Sequence, residues 1–518
     1  MKYLLYSTFF FFCFHSFAQD LNLNLQYSFG GSGSDNLAKT IRLSNGNYVM
    51  FGTSNSPVSG TKTEGAFGQS DWWIVCLDAS YNELWQKTLG GSLDDYANTV
   101  KELSNGDLLF LGFSESPNNG NKQSVCYGAN DYWIVRMTNS GTILWDKTYG
   151  GSALENSSDV YELNGGNLIV SGSSASGVSG NKSIASNGAI DIWLLKLNPS
   201  GNILAQAEFG GDSFDYDGLI LRTGSNELLL AGSSSSGISG NKTVANLGED
   251  DAWIIKIDTS LNLINQYVVG GNDIDYAVSF IHLNNGNFLL TFASSSSAGG
   301  MKSENGYGSN DAWLVELNSN FNVVRDKTIG SNYDENITKT HQLNNGNILL
   351  LMNTYSDANV YKSENSLGWN DFWFVSLDEN WDVTYENTIG STGNDAIMDM
   401  IKNNNGELVF FGLSSGGIDN DKTCTTNGQN DFWVVTAQTD LSVNPKLLSD
   451  PTIYPNPTES TIYFKDSGFS GVTYQVLDIR GKILLTGIIY TEQIDLSELN
   501  SGTYLISIKN THYKVVKQ

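Results

Sequence analysis

The chain has 518 residues, with 55 acidic against 28 basic side chains, a formal charge of −27 and 54 glycines. So acidic a surface repels phosphate backbones, which speaks against a nucleic-acid partner. After the first 18 residues only His282, His341 and His512 remain, scattered apart, so neither a metal–histidine cluster nor a Ser–His pair suggests itself, and no cofactor or metal is expected.

The chain opens on Lys2, an apolar run from Tyr3 to Phe14, and the small-residue site Ser16-Phe17-Ala18. That order reads as a signal peptide over 1–18, cleaved after Ala18. The run is short for a bilayer, Cys13 is followed by further apolar residues rather than a polar mature segment, and no later stretch reaches the length of a transmembrane helix. Three cysteines remain, Cys76, Cys126 and Cys424, an odd number that excludes a complete disulfide framework.

Asn22 to Phe29 reads as a strand ending in Gly30-Gly31. Leu37–Leu43 is then strand A, Asn45-Gly46 a hairpin dipeptide that accepts positive φ, and Tyr48–Thr53 strand B. A long loop, Ser54 to Ser70, leads to strand C at Asp71–Leu77, apolar on both faces and therefore buried between neighbours. Strand D is Glu83–Leu89, closed by Gly90-Gly91.

This unit recurs every 60 residues. Asp-x-Trp occurs at Asp71, Asp131, Asp191, Asp251, Asp311, Asp371 and Asp431, each with Trp two residues on. A lysine column runs Lys62, Lys122, Lys182, Lys242, Lys302, Lys362 and Lys422, and an acid column Asp35, Asp95, Glu155, Asp215, Asp275, Glu335 and Asp395. Seven four-stranded repeats predict an all-β fold, a seven-bladed β-propeller over 21–437. The last repeat lacks strand D after Trp433, and Asn22–Phe29 aligns with the other D strands, so the N-terminal strand is expected to close the last blade. The pattern Gly90-Gly91, Asp95, Asn105-Gly106, Asp131, Trp133 and Trp145-Asp146-Lys147-Thr148-Tyr149-Gly150-Gly151 resembles a bacterial β-propeller repeat family of unassigned function. Later repeats depart from it at Gly330-Ser331 and Gly390-Ser391, and at Ala205, Asn265, Arg325 and Tyr385 in place of the strand D tryptophan.

In such a blade the D-to-A and B-to-C loops share one face. The acid, lysine and Asp-x-Trp columns therefore gather there and are expected to form a structural network that pins each blade, with the lysines lying across blade junctions and neutralising the acids; a cation held by a ring of acids is the rival reading. Departures from the repeat point instead to ligands. Phe67, Tyr127, Tyr307 and Trp369 lie on the long-loop face, and Tyr96, Tyr216 and Tyr276 follow the acid in D-to-A loops. Aromatics beside acids, Ser and Asn suit a glycan or a protein partner, or else pack between loops. No acid stands apart from the columns beside a special base, so the expectation is a non-enzymatic binding protein. The alternative is a secreted polysaccharide hydrolase or lyase.

A polar linker over 438–450 precedes a change of character. Tyr454-Pro455-Asn456-Pro457, Tyr474-Gln475-Val476-Leu477-Asp478, Gly481-Lys482, Ile494-Asp495-Leu496, Gly502-Thr503-Tyr504-Leu505-Ile506-Ser507-Ile508 and Lys514-Val515-Val516-Lys517-Gln518 predict a small β-sandwich over 451–518. Their order resembles the type A C-terminal sorting domain of Bacteroidetes type IX secretion substrates. The resemblance implies docking on the outer-membrane translocon as a partner, and a secreted or cell-surface location.

Overall fold

The computed structural model describes residues 21–438 apart from 225, 404 and 405, and, toward the C-terminus, 453–454, 457–464, 472–478, 482–489, 493–508 and 511–517. The expected leader at 1–18 and the expected linker beyond Gln438 lie outside the described residues. The chain divides into two units at Gln438.

In the first unit, β1 (Asn22–Phe29) is followed by β2 (Asp35–Arg42), β3 (Tyr48–Ser54), β4 (Asp71–Leu77) and β5 (Glu83–Leu89). The last four form one antiparallel sheet in that order, with strands A to D of the repeat as β2 to β5, and the pattern recurs through seven sheets. The A–B turn works as its sequence demands: Gly46 takes φ +92° and its N–H donates to Leu43 O at 2.9 Å. Strand A begins two residues before the expected Leu37, because Asp35 pairs with Ser54 and its N–H donates to Asn430 O of the neighbouring blade at 2.8 Å. The acid column and the tyrosines after it are therefore the first and second residues of strand A, not loop residues.

Strand C explains its own composition. Every residue of β4 is buried, and Trp72 and Trp73 point to opposite faces. Trp72 packs on Trp133 of the second blade at 4.1 Å between ring centroids, and Trp73 on Phe432 of the seventh at 4.8 Å. Each large apolar side chain fully buried in these junctions contributes about 1.5–3 kcal/mol.

The ring is closed. The strand at Asp431–Gln438 pairs on its free edge with β1, from Asn22↔Gln438 to Phe29↔Phe432. Consecutive A strands touch all the way round, including β2 against Asp395–Lys402, which makes A the innermost strand of each blade. Tyr27 and Phe29 share one core with Trp73, Phe411 and Phe432. The fold is a seven-bladed β-propeller.

The second unit has a three-stranded sheet (Ile453–Tyr454, Thr461–Phe464, Gln493–Asp495) and a four-stranded sheet ordered Ile483–Ile489, Val472–Asp478, Gly502–Ile508, Thr511–Lys517. Ile462 and Ile494 of the first join Val476, Ile489, Ile506 and Val515 of the second in one core, a small β-sandwich.

Candidate functional site

The repeated polar residues form one row per blade. Asp35, Ser54 and Asp71 stand opposite one another across three strands. The acid at the start of strand A accepts the N–H of the residue four before it, as Asp95 does from Gly91 at 2.8 Å and Glu335 from Ser331 at 2.5 Å. A serine hydroxyl adds to this: Ser116 donates to Asp95 at 2.9 Å. The Asp-x-Trp aspartate closes the end of the long loop in the same way, Asp71 accepting from Phe67 N at 2.5 Å and Asp311 from Tyr307 N at 2.7 Å. Glycine is required between the two acids: a Cβ on Gly90 would meet Asp71 Oδ1 at 1.7 Å and Asp95 Oδ2 at 2.8 Å.

The lysines do not bridge blades, nor pair directly with the acid column. Each lies buried in its own blade, where Lys302 donates to Ser294 Oγ at 2.8 Å and Lys122 to Thr148 Oγ1 at 3.1 Å. Lys182 forms an ion pair with Glu208 at 2.8 Å. In every blade but the sixth the ammonium stands 5.3–5.9 Å from the ring centre of the Asp-x-Trp tryptophan. The cation meets its own blade's tryptophan because the long loop folds back over strands B to D. A further column escaped the sequence reading: the tryptophan Nε1 donates to Gln86, Asp146, Gln206, Gln266, Asp326 or Glu386 of strand D. In the last blade that place is taken by Gln26 of β1 at 3.2 Å. The signal was present at fixed spacing, hidden by the mixture of Gln, Asp and Glu.

Each acid of the column uses an oxygen within its own turn, and among the described residues no three acids are grouped so as to hold an ion. Oδ1 of Asp71, Asp95 and the equivalent aspartates is buried with no partner among the described residues. A proton can reside there without displacing a hydrogen bond. Accordingly burial pushes Asp71 and Glu335 up to about 7 and Glu208 up to about 8, with Asp95, Asp131, Asp215, Asp251, Asp275, Asp311, Asp371, Asp395 and Asp431 raised for the same reason. A carboxyl raised on folding contributes stability that is full below its unfolded value near 4 and lost as pH rises through its folded value. Burial lowers Lys62 to about 8, and lowers Lys122, Lys242, Lys302, Lys362 and Lys422 as well; the stability that Lys62 contributes at high pH is already lost once pH has fallen through that value. Between pH 7 and pH 5 the raised acids take up protons in the folded protein ahead of the unfolded chain, and the melting temperature is expected to rise on acidification. Each retained proton is worth about 1.4 kcal/mol per pH unit. Thermal melts at constant ionic strength check this; a melting temperature that falls steadily from pH 7 to pH 5 contradicts it.

The structure separates the aromatic candidates. Phe67 and Tyr127 anchor loop ends through their backbones, and a Cβ on Gly180 of the next blade would touch the Tyr127 ring at 3.0 Å. Tyr307 packs edge-on against Tyr361 at 5.4 Å. Trp369 is 78% exposed and has no ring partner among the described residues. Tyr96 pairs with Phe113 at 5.0 Å. Tyr216 and Tyr276, on adjacent blades, come close enough to interact, and burial together with the nearby Asp250 carboxylate raises the Tyr276 hydroxyl above its ordinary value. Phe214, overlooked in the sequence, lies parallel to Tyr216 at 5.7 Å and 3°. Phe214 and Tyr276 remain about two-fifths exposed, giving an aromatic platform on the inner rim at the long-loop end.

Below that rim lies a layer that the repeats concealed. Asn36, Lys39 and Ile41 pair with Thr53, Phe51 and Val49, alternate residues of strand B, so they share one face; a bulge at Ala38 permits this. Across the seven A strands the Lys39 position reads Lys39, Thr99, Asp159, Leu219, Ser279, Lys339 and Asp399. Lys39 Nζ meets Asp399 Oδ2 at 2.5 Å and His341 Nε2 meets Asp399 Oδ1 at 3.2 Å. Burial alone would raise Asp399, but the bond from His341 and the charge of Lys39 hold its carboxyl well below the usual range. Asp159 accepts from Val160 N at 2.7 Å and Ile220 N at 2.9 Å, and burial raises it. At the short-turn end, a cavity of about 190 Å³ beside Tyr161, Lys196 and Arg222 has its polar groups spent internally: Lys196 donates to Thr259 O at 2.7 Å and Arg222 to Gly224 O at 2.7 Å.

Comparison with known proteins bears chiefly on the second unit. Residues 452–518 match the family model of the secretion system C-terminal sorting domain. The tail thus marks the chain for export by the type IX secretion system, to the cell surface or the medium. No curated protein matches the sequence. Among solved structures, the chain is similar to PorZ, an essential bacterial surface component of the type IX secretion system of Porphyromonas gingivalis, at 11% identity over 95% of this chain and 75% of that one, with a TM-score of 0.32. It is similar to the Neurospora crassa Pan2 WD40 domain at 8% identity over 80% and 90% of the two chains, with a TM-score of 0.42. A Bacteroides caccae protein of unknown function is 14% identical over 61% of this chain and 90% of that one, with a TM-score of 0.33.

Proposed function

We propose that the propeller is an exported carbohydrate-binding module that holds its ligand at the long-loop end of the axis and does not turn it over. The observation that carries the reading is the platform of Phe214, Tyr216 and Tyr276, with Asp250 beside it. Parallel, fixed aromatic rings next to a carboxylate offer a sugar both a stacking face and a hydrogen-bond acceptor, at small cost in side-chain entropy. Tyr96 on Phe113 offers a second ring pair on the same inner rim.

A second reading, hydrolase or lyase, has one observation in its favour: Asp159 and Asp399 are pushed in opposite directions, as an acid and a base would be. Both carboxylates are fully engaged, however, Asp159 by two backbone N–H groups and Asp399 by Lys39 and His341. Calorimetric titration of the exported protein with a panel of soluble polysaccharides, beside a reducing-end assay, separates the readings. Binding without new reducing ends or unsaturated products is expected. Replacing Tyr216 and Tyr276 together by Ala should weaken binding about tenfold, about 1.4 kcal/mol, and leave the melt unchanged. Turnover would replace the binding reading, and a full panel without binding would end it.

A further inference from the structure

We infer that Lys39 and Lys339, side by side on the axis, receive a carboxylate of the ligand, so that the carbohydrate bound above them is an acidic one. The inference rests on the carbohydrate reading for its ligand class, but the lysine pair stands on its own geometry.

Asn36 and Lys39 are separated by two residues of strand B, roughly 7 Å along the axis. The rim tyrosines share the register of Asn36, so a sugar ring resting on them has the lysine layer within reach of a substituent. That layer has more positive charge than its own groups neutralise. Both oxygens of Asp399 are taken, one by Lys39 and the other by His341. Asp159 is held by Val160 N and Ile220 N, and Lys101 donates to Val160 O at 3.0 Å. Lys339 reaches toward Lys39, and no carboxylate or carbonyl among the described residues accepts a hydrogen bond from its ammonium. Three lysines thus face two carboxylates. Burial and the neighbouring Lys39 lower Lys339, outweighing the pull of the Asp399 and Asp159 carboxylates nearby.

Two adjacent ammonium groups, half out of water, repel strongly. An anion with two oxygens relieves that repulsion by accepting from both, through charge-assisted bonds of roughly twice the ordinary strength. A surplus of one charge calls for a monoanion, which a carboxylate supplies. The overall charge of −27 disfavours anions elsewhere on the surface, which confines recognition to this point.

The test uses the full exported chain, titrated with galacturonate oligomers of four to six units and with their methyl esters, which remove only the charge. The acid form is expected to bind at least tenfold more tightly. Lys339→Met should abolish that preference, Lys339→Arg should keep it, and Tyr216→Ala with Tyr276→Ala should weaken acid and ester alike. Equal binding of acid and ester, or a preference that survives in Lys339→Met, overturns the inference; so does a sulfated oligosaccharide that binds where the uronate does not. If no oligosaccharide binds, the carbohydrate reading fails and the lysine pair is judged separately. Sodium glucuronate at constant ionic strength should then raise the melting temperature of the wild type and not of Lys339→Met, identifying a small free carboxylate as the occupant. No shift in either protein overturns the site itself.

Discussion

Deletion of residues 22–29 is expected to lower the stability of the propeller by about 5 kcal/mol or more, a large part of the 5–15 kcal/mol typical of folded domains. β1 contributes the outer edge of the last blade over a ladder from Asn22↔Gln438 to Phe29↔Phe432, and each hydrogen bond lost there costs about 0.5–1.5 kcal/mol. Phe29, 7% exposed, adds about 1.5–3 kcal/mol of apolar burial, and Tyr27 packs beside it. Gln26 accepts from Trp433 Nε1 at 3.2 Å and from Thr423 N at 3.0 Å, and Ser28 donates to Asp431 at 2.9 Å. Losing β1 strands these groups and bares the backbone edge of Asp431–Gln438, a template for aggregation. Urea melts of the deleted and intact proteins measure the loss. Coincident midpoints would mean that β1 is an accessory strand and not the closure.

Removal of residues 452–518 is expected to abolish export while leaving the propeller folded. The match to the sorting-domain family covers just these residues, and the two units have separate cores, with Ile462, Val476, Ile494 and Ile506 at the centre of the smaller one. The truncated protein should accumulate in the periplasm with the melt of the intact propeller. Fractionation with immunoblotting of medium, surface and periplasm reads the outcome. Truncated protein in the medium at the intact level would show that another segment carries the sorting information. A single internal change offers a milder version: Tyr504 donates to Asn500 O at 2.6 Å within the core, and Tyr504→Ala should reduce export through loss of the sandwich fold.

The sequence by itself determined whatever each repeat needs. Asn-Gly at the A–B turn, Asp-x-Trp at the start of strand C and paired glycines after strand D recur at one spacing, because every blade solves the same local problem of turning and burying a strand. Hence seven blades, the closing strand and the terminal sandwich were legible from residue identity and period, and the sorting role from the resemblance that the tail's motifs carry. Local pattern did not reach the partners of the lysines, since cation and tryptophan meet only when the long loop folds back over the blade. Nor did it reach the axis. The column of Lys39 varies from blade to blade, and a column that varies gives no periodic signal. Lys39 and Asp399 are 360 positions apart in the chain. They are neighbours because the first and last blades pack Trp73 against Phe432 and shut the ring. That closure is set by the summed rotation of seven packed junctions, a property of the assembled core and not of any one repeat.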